Sequence, residues 1–278
     1  MQLVKEKISV FRVPMWLNWH CCIIIKKIDF LREKGYDKKF QSEVKTMSIN
    51  PGDYQRIVFF TGAGMSAESG VPTYRGRGGV WHQYNWEEYA CQRAFDQDPE
   101  KVLEFHRLRR KAVWACQPHA GHFLISALEK SHPHVTVVTQ NIDGMHQRAG
   151  SQEVVELHGS LWRLRCPQHG ISEDTGETYK NLKCETCQHW LRPDIVWFED
   201  SLDPAVVRKA IDAIGTCDLF ISIGTSGVVY PAAGFPPIAK NNGAFCIEIN
   251  PEASPLSTIY DENIRESASK ALEILFPG

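Results

Sequence analysis

The tightest constraint in the chain is an apolar run that ends in glycines. Ile57-Val58-Phe59-Phe60 leads through Thr61 into Gly62-Ala63-Gly64-Met65-Ser66-Ala67, a G-x-G-x-x-A pattern. Read as strand, tight turn and helix start, it is the dinucleotide form of the glycine loop. The first glycine permits the turn, the second lets backbone approach a pyrophosphate, and the small Ala67 lets helix pack on strand. Exposed N–H groups at the helix start would face the phosphates. The continuation is unusual. Pro72 disfavours helical geometry at Val71 and lacks an N–H donor, so Val71-Pro72-Thr73-Tyr74-Arg75 breaks the helix. Gly76, Gly78 and Gly79 follow before Val80-Trp81, with no second strand bearing a ribose-binding acid about 20 positions on. The stretch reads as a lid, with a plain surface loop as the alternative.

The chain has 278 residues and a net charge of −2, enough for a large core and no electrostatic case for nucleic acid or an acidic membrane surface. Its nine cysteines are odd in number and unevenly spread, which suits a reducing compartment, here taken as the cytoplasm, better than a disulfide scaffold. Residues 1–46 match no motif and read as an extension that is either not native or disordered. The apolar stretch from Val13 to Ile25 is too short to span a bilayer and is interrupted by Pro14, Asn18 and His20.

Along the chain, Asn85 to Arg93 reads as helix. Asp98-Pro99-Glu100 starts another, with an Asp cap and Pro in the first turn. Its apolar stripe is Val102, Phe105, Leu108 and Ala112; His106 and Arg109 lie on the stripe's edge, while Arg107 and Arg110 read as solvated charge. A helix from His119 to Lys130 precedes the β-branched strand Val135–Thr139. Gln140, Asn141, Ile142 and Asp143 stand at that strand's carboxyl end, where open α/β sheets bind ligands. Val154–Leu157 reads as a strand delivering His158, whose ordinary pKa range suits a general base. Helix Asp203–Ile214 and strands Asp218–Gly224 and Ala244–Ile249 complete the pattern. Cys166-x-x-His169 and Cys184-x-x-Cys187 have the ligand types and spacing of a tetrahedral structural zinc site.

These blocks together resemble the sirtuins, NAD-dependent protein-lysine deacylases. The resemblance is carried by Gly62 to Arg75, Thr139 to Gly150, Leu157-His158-Gly159, Val196-Trp197-Phe198-Glu199, Gly224-Thr225-Ser226, Val229-Tyr230-Pro231 and Asn250-Pro251-Glu252. It covers roughly Gln55 to Phe276. Tyr74 stands where the family most often has Phe. The resemblance implies an α/β fold: a Rossmann-like parallel-sheet domain with a smaller zinc-binding and helical domain inserted. In a catalytic domain of residues 47–278, the NAD-binding part would comprise about 50–81, 119–160 and 195–278. The small domain would comprise the helical insert 82–118 and the zinc module 161–194.

The resemblance also implies roles. His158 would draw a proton from the ribose hydroxyls, with Asn141 and Asp143 lining the nicotinamide pocket. NAD contacts would come from Gly62, Ala63, Gly64, Ser66, Tyr74, Arg75, Trp81, Gln140, Asn141, Ile142 and Asp143, then from Gly224, Thr225, Ser226, Asn250, Pro251, Glu252 and Ala268. Val196, Phe198 and Val229 would flank an acyl-lysine peptide. The products would be deacylated lysine, nicotinamide and O-acyl-ADP-ribose. One branch of the family clamps succinyl groups with Tyr-x-x-Arg; here the pair is His106 and Arg109, which implies deacetylation with residual or moderate desuccinylation. The family's zinc ligands are normally four cysteines, so His169 is a departure, and His189 competes for the place. Mono-ADP-ribosyl transfer and hydride transfer by a dehydrogenase are the alternative activities.

Overall fold

The computed structural model describes residues 48–74 and 79–277. The readings of residues 1–46 and of Arg75 fall outside them. In chain order the strands are β1 (Ile57–Thr61), β2 (Val135–Thr139), β3 (Val154–Glu156), β4 (Gly159–Cys166), β5 (Gly170–Glu173), β6 (Arg192–Ile195), β7 (Leu219–Ile223), β8 (Phe245–Ile249) and β9 (Glu262–Ile264). The α-helices are α1 (Val80–Gln83), α2 (Trp86–Tyr89), α3 (Gln92–Gln97), α4 (Pro99–Trp114), α5 (Ala120–Ser131), α6 (Met145–Arg148), α7 (Pro204–Thr216), α8 (Phe235–Asn241) and α9 (Ala268–Leu275).

Six strands form one parallel sheet in the order β3-β2-β1-β7-β8-β9, so the order reverses at β1. Beside that switch point, at the carboxyl ends, such a sheet opens its ligand crevice. Its central strands are buried on both faces, which is why β1, β2 and β7 read as continuous apolar or β-branched runs. Val58 and Phe60 pack with Ala210 and Ile214 of α7 and Phe235 and Ala239 of α8. On the opposite face Phe59 meets Phe276, just beyond α9, edge-on at 6.1 Å. The second sheet is antiparallel, β5-β4-β6.

Several local readings need correction. Residues 63–69 form a 3-10 helix, and Met65 and Ser66 are its buried residues. Ala67 is exposed, so it does not pack helix on strand. The glycines answer to a tertiary contact. A Cβ at Gly64 would lie 2.6 Å from Gly224 Cα, and one at Gly62 would lie 2.8 Å from the Gly224 carbonyl oxygen. Gly64 N–H donates to that oxygen at 2.9 Å. The turns after β1 and β7 therefore touch backbone to backbone.

The segment 85–93 is two short helices, α2 and the start of α3, not one. On α4 the Asp98 cap is present, accepting from Lys101 N–H at 3.0 Å. Its buried stripe, however, is Val102, Leu103, Phe105, His106, Arg110 and Val113, whereas Leu108 and Ala112 are exposed. Arg107 pairs with Glu104 at the surface, as expected of a solvated charge. Arg110 is fully buried instead. Its guanidinium donates to the carbonyls of Gly176 (2.6 Å) and Leu161 (3.2 Å), to the Asp174 carbonyl, and to Asp174 Oδ1 at 2.6 Å. It also lies over the rings of Trp162 and Tyr179. Five donors in a rigid fork explain how a charge can be held there.

Candidate functional site

A cavity of about 570 Å³ opens at the carboxyl ends of β1, β2, β7 and β8. Gly62, Ala63 and Gly64 form one wall, with Gln140, Asn141 and Ile142 beside them. Gly224, Thr225, Ser226, Asn250 and Glu252 line the side toward β8. Tyr74, Trp81, Val196, Phe198, Val229, His106, Arg109 and His158 also line the cavity. The size falls within the range of small-molecule sites. Bare backbone at the first turn and polar groups on four strand ends suit a dinucleotide.

Hydrogen bonds fix these groups. Asn141 is buried; its backbone N–H donates to Thr139 Oγ1 at 3.0 Å, and its Nδ2 donates to the Gly62 carbonyl at 2.9 Å and to Ser66 Oγ at 3.3 Å. Ser66 is thus enclosed behind the glycine turn and does not line the cavity. Asp143 lines a small adjoining crevice with Ala63, Tyr74 and Asn141. Burial pushes its carboxyl pKa up, against hydrogen bonds from Met145 N–H and Ser66. Gly144 has φ +71, and a Cβ there would meet Trp162 Nε1 at 2.6 Å. That indole donates to the Asp143 carbonyl at 2.7 Å. Gln140 Nε2 donates to Thr225 Oγ1 at 3.3 Å, tying two strand ends together.

His158 Nδ1 is 2.9 Å from the Gln140 carbonyl, an acceptor only, so Nδ1 carries the proton and Nε2 is left with a lone pair. Burial lowers the His158 pKa from its ordinary value, partly offset by that backbone bond. The ring is therefore neutral near pH 7.

His106 differs from expectation. Its Nε2 accepts from Trp197 Nε1 at 3.1 Å, and its other nitrogen donates to the Tyr89 carbonyl. Burial drives its pKa down to about 3. It lines the cavity as a neutral ring with both nitrogens engaged, so it has no donor left for an acyl group. Trp197, its partner, belongs to the motif Val196–Glu199, but the resemblance implies a role only for its neighbours Val196 and Phe198. Arg109 has its guanidinium carbon 5.1 Å from the Tyr74 ring centroid. Tyr74 and Trp81 stack at 5.8 Å, and Trp81 meets Phe198 edge-on at 5.5 Å, giving an aromatic wall. Pro251 and Ala268 do not line the cavity; Ala268 is buried at the start of α9.

Away from the cavity, Cys166, His169, Cys184 and Cys187 bring one ligand atom each to within 4.8 Å of one another. Cys166 Sγ lies 3.5 Å from both His169 Nδ1 and Cys187 Sγ, and Cys184 Sγ lies 3.4 Å from His169 Nδ1. Ligands about 2.0–2.3 Å from a tetrahedral zinc would be spaced by about 3.5–3.8 Å. Backbone N–H groups of Cys187 and Thr186 draw the Cys184 thiol down to about 6, toward thiolate. A structural zinc fits this Cys₃His set. His189 is outside it and instead accepts Cys184 N–H through its carbonyl. Elemental analysis is expected to find about one zinc per chain, and Cys187→Ser to lose it with a fall in melting temperature. Full zinc content in that variant would refute the assignment.

The family model described as Sir2 family matches residues 62–231. An NAD-dependent protein deacylase 2 of Pyrobaculum aerophilum is 46% identical over 221 residues, 78% of this chain and 88% of that protein. An NAD-dependent protein deacylase of Aquifex aeolicus is 42% identical over 228 residues, covering 79% and 93%. The crystal structure of a Sir2 homologue in complex with NAD superposes with a TM-score of 0.74 at 41% identity, covering 80% of this chain and 88% of that one.

Proposed function

The chain belongs to the Sir2 family, and we propose how its own residues carry NAD-dependent protein deacylation. It is an NAD-dependent protein deacylase acting on acylated lysine in proteins. When bound, NAD supplies the ADP-ribosyl group that takes the acyl group, and nicotinamide leaves. The observation that carries the assignment of roles is His158, which lines the cavity with its Nδ1 proton held by the Gln140 carbonyl and its Nε2 unprotonated. It is the general base that takes a proton from a ribose hydroxyl. Asn141 and Asp143 hold the nicotinamide end, and Gln140 the ribose. The glycine turn and the ends of β7 and β8 hold the phosphates and adenosine. Tyr74, Trp81 and Phe198 screen the reacting end from water.

Residues 82–118 and 161–194 form the small domain of this reading. No helix among the described residues is long and apolar enough to cross a membrane. The unevenly spread cysteines and the charge of −2 support a reading of action on proteins in the cytoplasm.

Acyl preference follows from α4. With His106 closed off, Arg109 is the one cation lining the cavity among the described residues and takes the acyl carboxylate alone, so the enzyme favours acetyl-lysine and keeps weak desuccinylation. The test compares kcat/KM on acetyl- and succinyl-lysine peptides while following nicotinamide release. Arg109→Met is expected to lower the succinyl value about tenfold or more and the acetyl value less than about threefold. An unchanged ratio would remove Arg109 from the carboxylate contact. NADH absorbance in place of nicotinamide would overturn the deacylase reading itself.

A further inference from the structure

We propose that Glu248 and Arg265, neither of which lines the cavity, are positioning residues that set the affinity for the adenosine half of the dinucleotide; this rests on the reading that the cavity takes NAD. Glu248 sits on β8 and is 1% exposed. A carboxylate so buried needs partners for both oxygens. Its Oε1 accepts from Ser254 Oγ at 2.5 Å, and its Oε2 accepts from Ser257 Oγ at 2.5 Å and Arg265 Nη1 at 2.6 Å.

All these partners belong to, or bind, the loop from Asn250 to Ser257. That loop contributes Asn250, Glu252, Ala253, Ser254 and Pro255 to the cavity. Arg265 Nη1 also donates to the carbonyls of Asn250 (3.2 Å) and Glu252 (3.4 Å), while Nη2 donates to Ser257 Oγ (3.0 Å) and Asn263 Oδ1 (2.9 Å). Across the cavity, Asn250 Nδ2 donates to the Thr225 carbonyl at 3.0 Å. Leu256 packs so close to Gly227 that a Cβ there would lie 3.3 Å from it. One carboxylate and one guanidinium thus hold the loop, and its own Asn250 and Leu256 join it to the turn after β7. A lysine could keep the charge at position 265 but not the fork of simultaneous donors.

The experiment measures ADP-ribose binding by calorimetry, with KM for NAD and for an acetyl-lysine peptide, in the full chain and in Arg265→Ala, Arg265→Lys and Ser257→Ala. The expected result is a Kd for ADP-ribose and a KM for NAD both raised about tenfold in Arg265→Ala. Arg265→Lys should be raised about threefold and Ser257→Ala two- to threefold, with kcat and peptide KM within about twofold throughout. If Arg265→Ala fails to fold, the two milder variants decide. An unaltered Kd for ADP-ribose in the variants, or equal rises in both KM values, overturns the proposal alone. Failure of the unsubstituted chain to bind ADP-ribose overturns the reading beneath it as well.

Discussion

His158→Ala is expected to lower kcat/KM for deacylation by roughly 10²–10⁴-fold, the usual worth of a positioned general base, while ADP-ribose binding stays within about threefold. The ring lines the cavity, and among the described residues its one hydrogen bond is to the Gln140 carbonyl. Removing it should therefore cost chemistry and not fold. The pH profile gives an independent check. The base works only when unprotonated, so activity falls as pH drops through its folded pKa. Because burial holds that value below the ordinary 6.5, the acid limb of kcat/KM should lie below about pH 6.5, with full activity above it. Loss of ADP-ribose binding with turnover would make His158 a binding group; retained turnover would dismiss it as the base. An acid limb above pH 7 would contradict the neutral ring.

The second large effect concerns stability. Asp174→Ala is expected to cost about 3–5 kcal/mol, lowering the melting temperature by roughly 6–20 °C, because it strands the Arg110 guanidinium in a fully buried site. The loss comes mostly from the uncompensated charge, not from the worth of the pair. Replacing both partners, Arg110→Met with Asp174→Leu, should recover most of it. Denaturant melts of the single and double variants separate these contributions. If the double variant is as unstable as the single, the guanidinium's bonds to the Gly176 and Leu161 carbonyls, not the ion pair, hold this region.

Much of this was legible in the sequence where one residue's neighbours along the chain decide its fate. The runs at β1, β2 and β7 end within a residue of their expected places, since strands buried on both faces leave little room for polar residues. The caps at Asp98 and Asp203 act where the Asp-Pro pairs stood. The three cysteines of the zinc set follow from their spacing, whereas the choice of His169 over His189 comes only from the fold. What could not be read depends on partners far along the chain. Arg110 looked like one charge in a basic run, and its burial depends on Asp174, 64 residues later. His106 has its lone pair occupied by the indole N–H of Trp197, 91 residues away, and its own N–H by the Tyr89 carbonyl. Glu248 did carry a signal, an acid inside the buried run Phe245-Cys246-Ile247-Glu248-Ile249, but nothing local named its partners.

The contact between the turns after β1 and β7 limits how this enzyme can be redesigned. Gly64 and Gly224 meet through main-chain atoms, so no smaller neighbouring side chain can make room for a substituent at either position. Widening the floor there would mean prying apart two adjacent strands of the central sheet. A catalyst built to accept a bulkier nucleotide analogue has to be opened elsewhere, and the loop from Asn250 to Ser257, held by side chains, is the part that can be rewritten.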